Sequence, residues 1–331
     1  MLSPKFRECR RLRRDVKPAQ AFVGSQTVTW QVGRDALTEG LRVRWDGTLS
    51  TTSSGAPTAH DHNSLRAVAS IVVAAKVGGN KKDLKPYQHG HVSGALRRSD
   101  QYRDDITTAE IASSGDVTFG AALDIDFSTL GCEPESRGTL VRRQQEFCTV
   151  QVQFAAATAL YYGGTVSASG IAGTVYLERR ELEGKADDSG FGSYNEWTGT
   201  GNAVVTGDCA PILLPTGYEH RYLCIFTEAD ATPVRSDAVL TGVKVRVDGQ
   251  YVIELTARQI REAMQTCGML VGMIDTGVYL IPWGLVDRGN ARWSAGLDLR
   301  GKTLCEVILT TAASTGAAVT YQFGYYEPVK V

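Results

Sequence analysis

The sequence contains few residues or motifs that would support catalysis, membrane insertion or a disulfide framework. Its 331 residues include only 5 His and 10 Pro, and the 7 Cys never occur with C-x-x-C spacing. It has no G-x-S-x-G, P-loop or H-E-x-x-H motif. A run of about 18 apolar residues, the length that spans a bilayer, is also missing. We therefore predict that the protein is not an enzyme and uses no cofactor.

The cysteines indicate the compartment in which the chain is made. Their number is odd, and several lie within apolar strand patterns, where a free thiol packs as a small hydrophobic group. We expect no secretory signal peptide, because the basic start is not followed by an apolar segment. Reduced cysteines and synthesis in a cytoplasm are therefore predicted. The cysteines are Cys9, Cys132, Cys148, Cys209, Cys224, Cys267 and Cys305.

Composition favours an all-β protein of two domains. The chain is long enough for two domains of ordinary size, and 43% of its residues are hydrophobic, as in globular proteins. The 35 Gly, together with many Thr, Val and Ser, favour strands and turns over long helices. A net charge of −1 argues against a general polyanion binder.

The stretch from Val239 to Gly268 predicts a strand, a tight turn, a second strand and a short helix. Apolar and polar residues alternate through Val243–Val247, as in a strand with one buried face. The dipeptide Asp248-Gly249 suits a tight hairpin turn, because glycine tolerates positive φ. Thr256 and Gln259 have the spacing of a capping box at a helix start.

A similar unit occurs earlier in the chain, and the strands that follow the two units match in order. Residues 71–77 alternate, Gly78–Asn80 can form the turn, and His91–Ser99 is compatible with a short helix. This repetition predicts a duplicated β-domain. The matching later segments are Asp116–Phe127, Phe147–Leu160 and Gly173–Glu183 in the first half, and Gly277–Val286, Leu304–Ser314 and Ala318–Val329 in the second.

Eight short strands in each half are typical of a jelly roll. We predict an all-β fold of two tandem eight-stranded jelly-roll β-sandwiches, a double jelly roll, with short helices in loops. Ala19–Val32 is predicted to be one long first strand, and the stretch rich in Gly, Asp and Ser to be a linker. The predicted divisions are a basic arm at 1–18, a first jelly roll at 19–183, a linker at 184–202 and a second jelly roll at 203–331.

Positive charge is concentrated in the first 17 residues. Seven Lys and Arg against Glu8 and Asp15 give this segment a net charge of +5. Such an arm could neutralise phosphates of nucleic acid or of lipid head groups, or it could be a solvated tail. Order in so charged a segment would require a partner. The basic residues are Lys5, Arg7, Arg10, Arg11, Arg13, Arg14 and Lys17.

Two H-x-H pairs could bind a metal if each lay on a strand, but their loop-like surroundings favour solvated histidines. Asp124 with Asp126, and Glu181 with Glu183, alternate with apolar residues. We expect these carboxylates to face water rather than to act in acid–base catalysis. A further histidine, His220, has no evident partner. The weak metal candidates are His60, His62, His89 and His91.

The second half resembles a known family. The strand and turn VKVRVDGQ, the helix TARQIREAM, the strand YLIPWG and the closing segments LDLRGKTLCEVIL and VTYQFGYY are similar to major capsid proteins of membrane-containing icosahedral phages of the corticovirus and finnlakevirus type. The first half matches by order of elements. The resemblance implies a double jelly roll in the virion, forming homotrimeric, pseudo-hexagonal capsomers around an internal lipid membrane.

The resemblance also implies partners. These are neighbouring capsomers, minor capsid or vertex proteins, and the membrane surface, reached through the basic arm, with no sequence-specific binding of nucleic acid. The alternative function is a tandem β-sandwich that binds carbohydrate, with Trp197 and Tyr194 as candidate surface aromatics. A cupin-like metal enzyme would need its histidines on barrel strands facing inward.

Overall fold

A computed structural model places most of the chain in antiparallel β-sheets. It describes residues 11–32, 37–54, 58–60, 63–77, 80–87, 115–126, 147–162, 165–168, 170–183, 193–201, 204–229, 234–266, 276–283, 296–312 and 317–327.

The elements of the first half are β1 (Arg11–Val16), β2 (Gln20–Val23), β3 (Thr27–Val32), β4 (Leu37–Ser54), β5 (Thr58–Ala59), α1 (Asn63–Arg66), β6 (Val68–Val77), β7 (Asn80–Tyr87), β8 (Gly115–Asp126), β9 (Phe147–Phe154), a 3-10 helix (Ala157–Leu160), β10 (Tyr161–Tyr162), β11 (Thr165–Ala168) and β12 (Ala172–Glu183). Those of the second half are β13 (Ser193–Thr200), β14 (Gly207–Asp208), β15 (Ile212–Leu213), β16 (Glu219–Ala229), β17 (Val234–Arg235), β18 (Leu240–Val247), β19 (Gln250–Thr256), α2 (Ala257–Thr266), β20 (Val278–Pro282), β21 (Leu297–Asp298), β22 (Cys305–Thr311) and β23 (Ala318–Glu327).

Each half is a sandwich of two main sheets. In the first half, sheet 1a joins β1 and β2 to β12, then β4, then β8, with β11 also on β4. Sheet 1b has the order β3–β9–β6–β7. In the second half, sheet 2a has the order β13–β23–β16–β20, with β17 and β21 also on β16. Sheet 2b joins β14 and β15 to β22, then β18, then β19.

The two halves use their strands in the same order. We count β1 with β2, and β14 with β15, as one strand each, and leave out the short strands β5, β10, β11, β17 and β21. Both halves then place eight strands as 1-8-3-6 in one sheet and 2-7-4-5 in the other. This is the arrangement of a jelly roll. The predicted all-β double jelly roll is therefore confirmed.

Each jelly roll has its own apolar core between its sheets. In the first, Phe22 of sheet 1a stacks on Phe154 of sheet 1b, with ring centroids 3.6 Å apart. The buried Trp45 indole donates a hydrogen bond to the carbonyl oxygen of Ser64, at 3.0 Å. Burying side chains of this size contributes roughly 2–3 kcal/mol each relative to leaving them exposed.

The predicted hairpin and helix of the second half are present. β18 and β19 pair through a turn in which Asp248 has φ 48° and Gly249 has φ 85°. Two positive φ values are typical of a type I′ hairpin, which explains the Asp-Gly pair. At the start of α2, Gln259 N donates to Thr256 Oγ1 and Thr256 N donates to Gln259 Oε1. The capping box is therefore formed.

Three expectations about segment boundaries were wrong. Ala19–Val32 is two strands in different sheets, because a turn at Ser25, with φ 65°, carries the chain from sheet 1a to sheet 1b. In the predicted linker, β13 forms the edge of sheet 2a, paired with β23. In the predicted arm, β1 pairs with β12. Backbone pairing at a sheet edge outweighs the weak strand propensity of these two segments.

Candidate assembly surfaces

The two jelly rolls of one chain touch where the edge strand of sheet 1b meets the edge and the outer face of sheet 2a. Strand β7, at the edge of sheet 1b, has Cα atoms within 8 Å of β13, at the edge of sheet 2a. Nearby, Arg66 Nη2 of α1 donates to Glu228 Oε1 of β16 at 3.1 Å. Both side chains are shielded, with 11% and 22% exposed. The sandwiches therefore pack side by side.

The outer face of sheet 2a is buried. Tyr222, Cys224 and Phe226 alternate with residues that point into the core, and all three are at most 3% exposed. On the same face, Gln322 Nε2 donates to the Tyr222 hydroxyl at 3.0 Å. Glu228 shares this face by its spacing. Its contact with Arg66 therefore shows that the face is turned toward the first jelly roll.

The corresponding face of sheet 1a is charged and open. The side chain of Arg44 is 57% exposed and forms an ion pair with Asp46 at 2.8 Å. The Arg44 guanidinium also lies over the Tyr176 ring, 5.6 Å from its centroid. The outer face of sheet 2a is therefore covered, whereas the equivalent outer face of sheet 1a is exposed.

The strand β1 is attached to its own jelly roll by charged contacts as well as by backbone pairing. Arg179 Nη2 of β12 lies 3.5 Å from Asp15 Oδ2 of β1, and Lys17 Nζ of the same segment as Asp15 lies 2.5 Å from that oxygen. Arg179 also pairs with Glu181, and both of these side chains are buried. The expectation that Glu181 faces water is wrong, because it lies on the inner face of β12 beyond Val175 and Leu177.

The basic residues of the arm divide into two groups. Lys5, Arg7 and Arg10 lie outside the described residues. Arg11, Arg13 and Arg14 lie in β1, opposite Glu183, Glu181 and Arg180 of β12 respectively. We predicted that an external partner would order the arm. In this part of it, pairing with β12 of the same chain supplies order.

Large apolar side chains are exposed at two sheet edges beside which the described residues place no further strand. At the β1–β2 edge of sheet 1a, Val16 is 61% and Val23 is 55% exposed. At the β19 edge of sheet 2b, Tyr251 is 56% and Val252 is 51% exposed. Arg246 lies over the Tyr251 ring at 5.8 Å, so this aromatic side chain is held on the outer side of the sheet.

The candidate metal ligands do not converge in the described part of the chain. His60 is buried, where β5 pairs with β10, so it is not the solvated loop histidine that we expected. His62, His89 and His91 lie outside the described residues. Among the residues that are described, no three His, Cys, Asp or Glu side chains form a group that could hold a metal ion.

His220 is a buried titratable group of the second jelly roll. Its Nε2 lies 2.7 Å from the carbonyl oxygen of Pro215, a partner that the sequence did not reveal. The ring packs against both Phe323 and Tyr325, with each centroid 5.6 Å away. Burial lowers the pKa of His220 to about 4, against the weaker opposing effect of the bond to Pro215.

Four cysteines in the described ranges are buried free thiols: Cys148, Cys209, Cys224 and Cys305. Burial raises the pKa of Cys148 and of Cys305 to about 12, so these thiols pack as hydrophobic groups. None of the helices in the described ranges has the length and apolar character needed to cross a bilayer.

No protein-family model matches the sequence, and no curated protein matches it. Several solved structures share its fold. The MCP of STIV, Sulfolobus turreted icosahedral virus, is 11% identical, with 96% of this chain and 97% of that chain covered and a TM-score of 0.68. The major capsid protein P2 of bacteriophage PM2 is 13% identical, with 96% and 98% covered and a TM-score of 0.59. The PBCV-1 virus capsid is 12% identical, with 96% and 94% covered and a TM-score of 0.60.

At these identities the comparisons establish the fold, which is that of viral major capsid proteins. The resemblance drawn from the second half of the sequence is confirmed at this level, and it extends to the first half. The carbohydrate-binding alternative gains no support from these structures.

Sequence reasoning missed the contact between Arg66 and Glu228. The uninterrupted apolar run from Tyr222 to Phe226 was an available signal, because such runs are typical of strands buried on both faces.

Proposed function

We propose that this protein is the major capsid protein of an icosahedral virus, acting as a structural and not a catalytic component of the virion. The observation that carries the proposal is the presence in one chain of two jelly rolls with the same strand order, packed side by side. Three copies would supply six such sandwiches and could close a pseudo-hexagonal ring. The similarity in fold to viral capsid proteins over 96% of the chain supports this function.

The capsomer is a homotrimer in this proposal, and neighbouring capsomers and minor capsid or vertex proteins are its partners in the shell. The shell belongs to a membrane-containing phage, synthesised in the host cytoplasm, and encloses a lipid bilayer. The resemblance of the second half to such coat proteins supports these details. The first jelly roll ends at Glu183, and the connection to the second lies between β12 and β13.

The basic arm faces the interior of the shell in this proposal. Lys5, Arg7 and Arg10 meet lipid head groups, and the arginines of β1 meet a neighbouring subunit. Each Lys or Arg near an anionic surface contributes about 1 kcal/mol, weakened by salt. Several such residues could hold an arm that has little apolar surface.

Two measurements test the proposal. Electron microscopy of particles that contain the protein should reveal a shell built of pseudo-hexagonal capsomers. Light scattering of the purified protein should give the mass of a trimer. A monomer at micromolar concentrations, together with glycan binding, would instead indicate the carbohydrate-binding protein.

A further inference from the structure

We propose that Asp248 is a site of spontaneous isoaspartate formation, and that hydrogen bonds from Thr303 and Leu304 keep it unreactive while the second jelly roll is folded. This chemistry is independent of the capsid role. It follows from the reactivity of an Asp-Gly pair and from the contacts of the Asp248 carboxylate at the end of the β18–β19 hairpin.

The sequence contains two Asp-Gly pairs, Asp46-Gly47 and Asp248-Gly249. In such a pair the glycine nitrogen can attack the aspartyl carboxyl group, because glycine has no side chain to block the approach. The first pair lies inside sheet 1a, where β4 is paired with β8 on one side and with β12 on the other. The second pair forms the β18–β19 turn, outside the ladder of paired residues. Neighbouring strands therefore restrain the second pair less than the first.

The reaction at this turn has two steps. Gly249 N attacks Asp248 Cγ to form a cyclic succinimide, and a carboxyl oxygen departs as water with the amide proton and a proton from solvent. Water then breaks the ring bond between the nitrogen and the main-chain carbonyl carbon of Asp248, so that the chain continues through the side chain. No oxidant or other co-reactant is needed. The product has an extra methylene in its main chain, which would shift the pairing of β18 with β19.

The hydrogen bonds to the Asp248 carboxylate converge on one of its oxygens. Oδ1 accepts from Thr303 N at 2.9 Å, from the Thr303 hydroxyl at 2.8 Å and from Leu304 N at 3.1 Å. Asp248 N in turn donates to the carbonyl oxygen of Leu304 at 3.0 Å. The turn and its carboxylate are therefore both attached to the segment that leads into β22.

These contacts oppose ring closure in two ways. Hydrogen bonds to the ionised form lower the pKa of Asp248, and the bond from the Thr303 hydroxyl has the largest effect. An ionised carboxylate is a poor electrophile, and its departing oxygen must first be protonated. The same bonds fix the torsion angles of the side chain, which ring closure must change. Local opening of the contact between the turn and residues 303–304 is therefore the step that exposes Asp248 to reaction.

The test follows isoaspartate at both Asp-Gly pairs during incubation of the full-length protein at neutral pH, with chromatographic separation of isoaspartyl from aspartyl peptides. Thr303→Val removes the hydroxyl and should raise the rate at Asp248 about tenfold, as expected for the loss of one hydrogen bond to a charged group. Thr303→Ser keeps the hydroxyl and should react at the wild-type rate. The rate at Asp46 is the internal reference and should be unchanged in both variants.

Thr241→Val is a matched control, because it removes another exposed hydroxyl of the same jelly roll, one that donates to the carbonyl oxygen of Thr310 at 2.9 Å. T241V should leave the rate at Asp248 unchanged. Wild-type protein in urea gives the unprotected rate, and both Asp-Gly pairs should react faster there than in the folded protein.

Three outcomes would overturn the proposal. Equal rates at Asp248 in folded wild type, T303V and urea would show that the contacts do not protect it. A slower reaction in T303V would show that the donors promote ring closure, by stabilising the oxyanion that forms on attack. An equal rise at Asp46 and Asp248 in T303V would show that global unfolding, and not the local contact, controls the reaction.

Discussion

Arg66 and Glu228 lie 162 residues apart in the sequence and meet at 3.1 Å, where Arg66 Nη2 donates to Glu228 Oε1. Arg66 ends the short helix α1 of the first jelly roll, and Glu228 lies near the end of β16 in the second. The contact is largely shielded from water, so it is less screened than an ion pair at the surface. It therefore helps to fix the first jelly roll against the second.

The first prediction concerns the strength of this pair. Replacing Arg66 or Glu228 with Ala should each destabilise the chain by about 1–3 kcal/mol, because the remaining charge loses its partner in a shielded site. The free energy of unfolding of the double variant should be no lower than that of the less stable single variant. Urea unfolding of the four proteins gives the coupling free energy. Strict additivity of the two single effects would show that the contact contributes nothing.

The second prediction concerns the capping box of α2. Thr256→Ala removes the hydroxyl that accepts from Gln259 N, and should destabilise the second jelly roll by about 1 kcal/mol. Thr256→Ser keeps the accepting hydroxyl and should therefore lose much less stability. Differential scanning calorimetry of the two variants measures this difference. Equal losses would mean that the methyl group, and not the cap, determines the effect.

Local patterns were enough to predict much of the fold. Val243, Val245 and Val247 alternate with charged residues, and the Asp248-Gly249 turn sets the register, so β18 and β19 followed from neighbouring residues alone. The strand order of both halves followed from repeating this unit. The edge strand β13 was missed because SYNEWTGT has a turn-like composition. It is a strand because β23 offers it a complete set of backbone partners.

The contact between the jelly rolls could not be predicted in the same way. Nothing near Arg66 or Glu228 in the sequence distinguishes them from other surface charges, and only the fold brings them together. Similarly, β1 has the composition of a solvated basic tail. Its position depends on pairing with β12 and on Asp15 meeting Arg179, a residue far along the chain.

The third prediction concerns a glycine where two strands approach closely. A Cβ atom on Gly173 of β12 would lie 2.1 Å from the carbonyl oxygen of Asp46 and 2.6 Å from the Cα of Gly47. Gly173→Ala must therefore displace backbone, and we expect a loss of about 1–3 kcal/mol in urea unfolding. The exposed neighbour Ala172, changed to Ser, should alter stability by less than about 0.5 kcal/mol. Equal stability of both variants would contradict the close approach.

The fourth prediction concerns acid sensitivity. His220 has a pKa of about 4 in the folded protein and an ordinary value of 6.5. The unfolded chain therefore binds a proton first as the pH falls, and stability decreases from about pH 6.5 until it levels near pH 4. The full loss from this residue is about 3 kcal/mol.

His220→Gln provides the comparison, because glutamine can still donate to the carbonyl oxygen of Pro215 but does not titrate. Urea midpoints measured between pH 7 and pH 4 should fall more steeply for the wild type than for H220Q. Parallel pH profiles of the two proteins would show that His220 does not determine the acid sensitivity.

The last prediction concerns the part of the arm that precedes β1. Replacing Lys5, Arg7 and Arg10 with Ser should weaken binding to vesicles that contain anionic lipid by roughly 100-fold, since each charge near the surface contributes about 1 kcal/mol. Trimers should persist, because each jelly roll keeps its own apolar core. Vesicle co-sedimentation at low and at raised salt measures the effect, which should shrink as salt screens it.

A matched control separates the arm from net charge. Arg258, Arg300 and Lys302 are exposed cations of the second jelly roll, and replacing them with Ser removes the same three charges. If the arm is the membrane-facing segment, this control binds vesicles as the wild type does, and only the arm variant loses binding. Equal losses of vesicle binding in both variants would show that overall charge, and not the arm, determines binding. Unchanged binding of the arm variant would show that residues before β1 form a solvated tail.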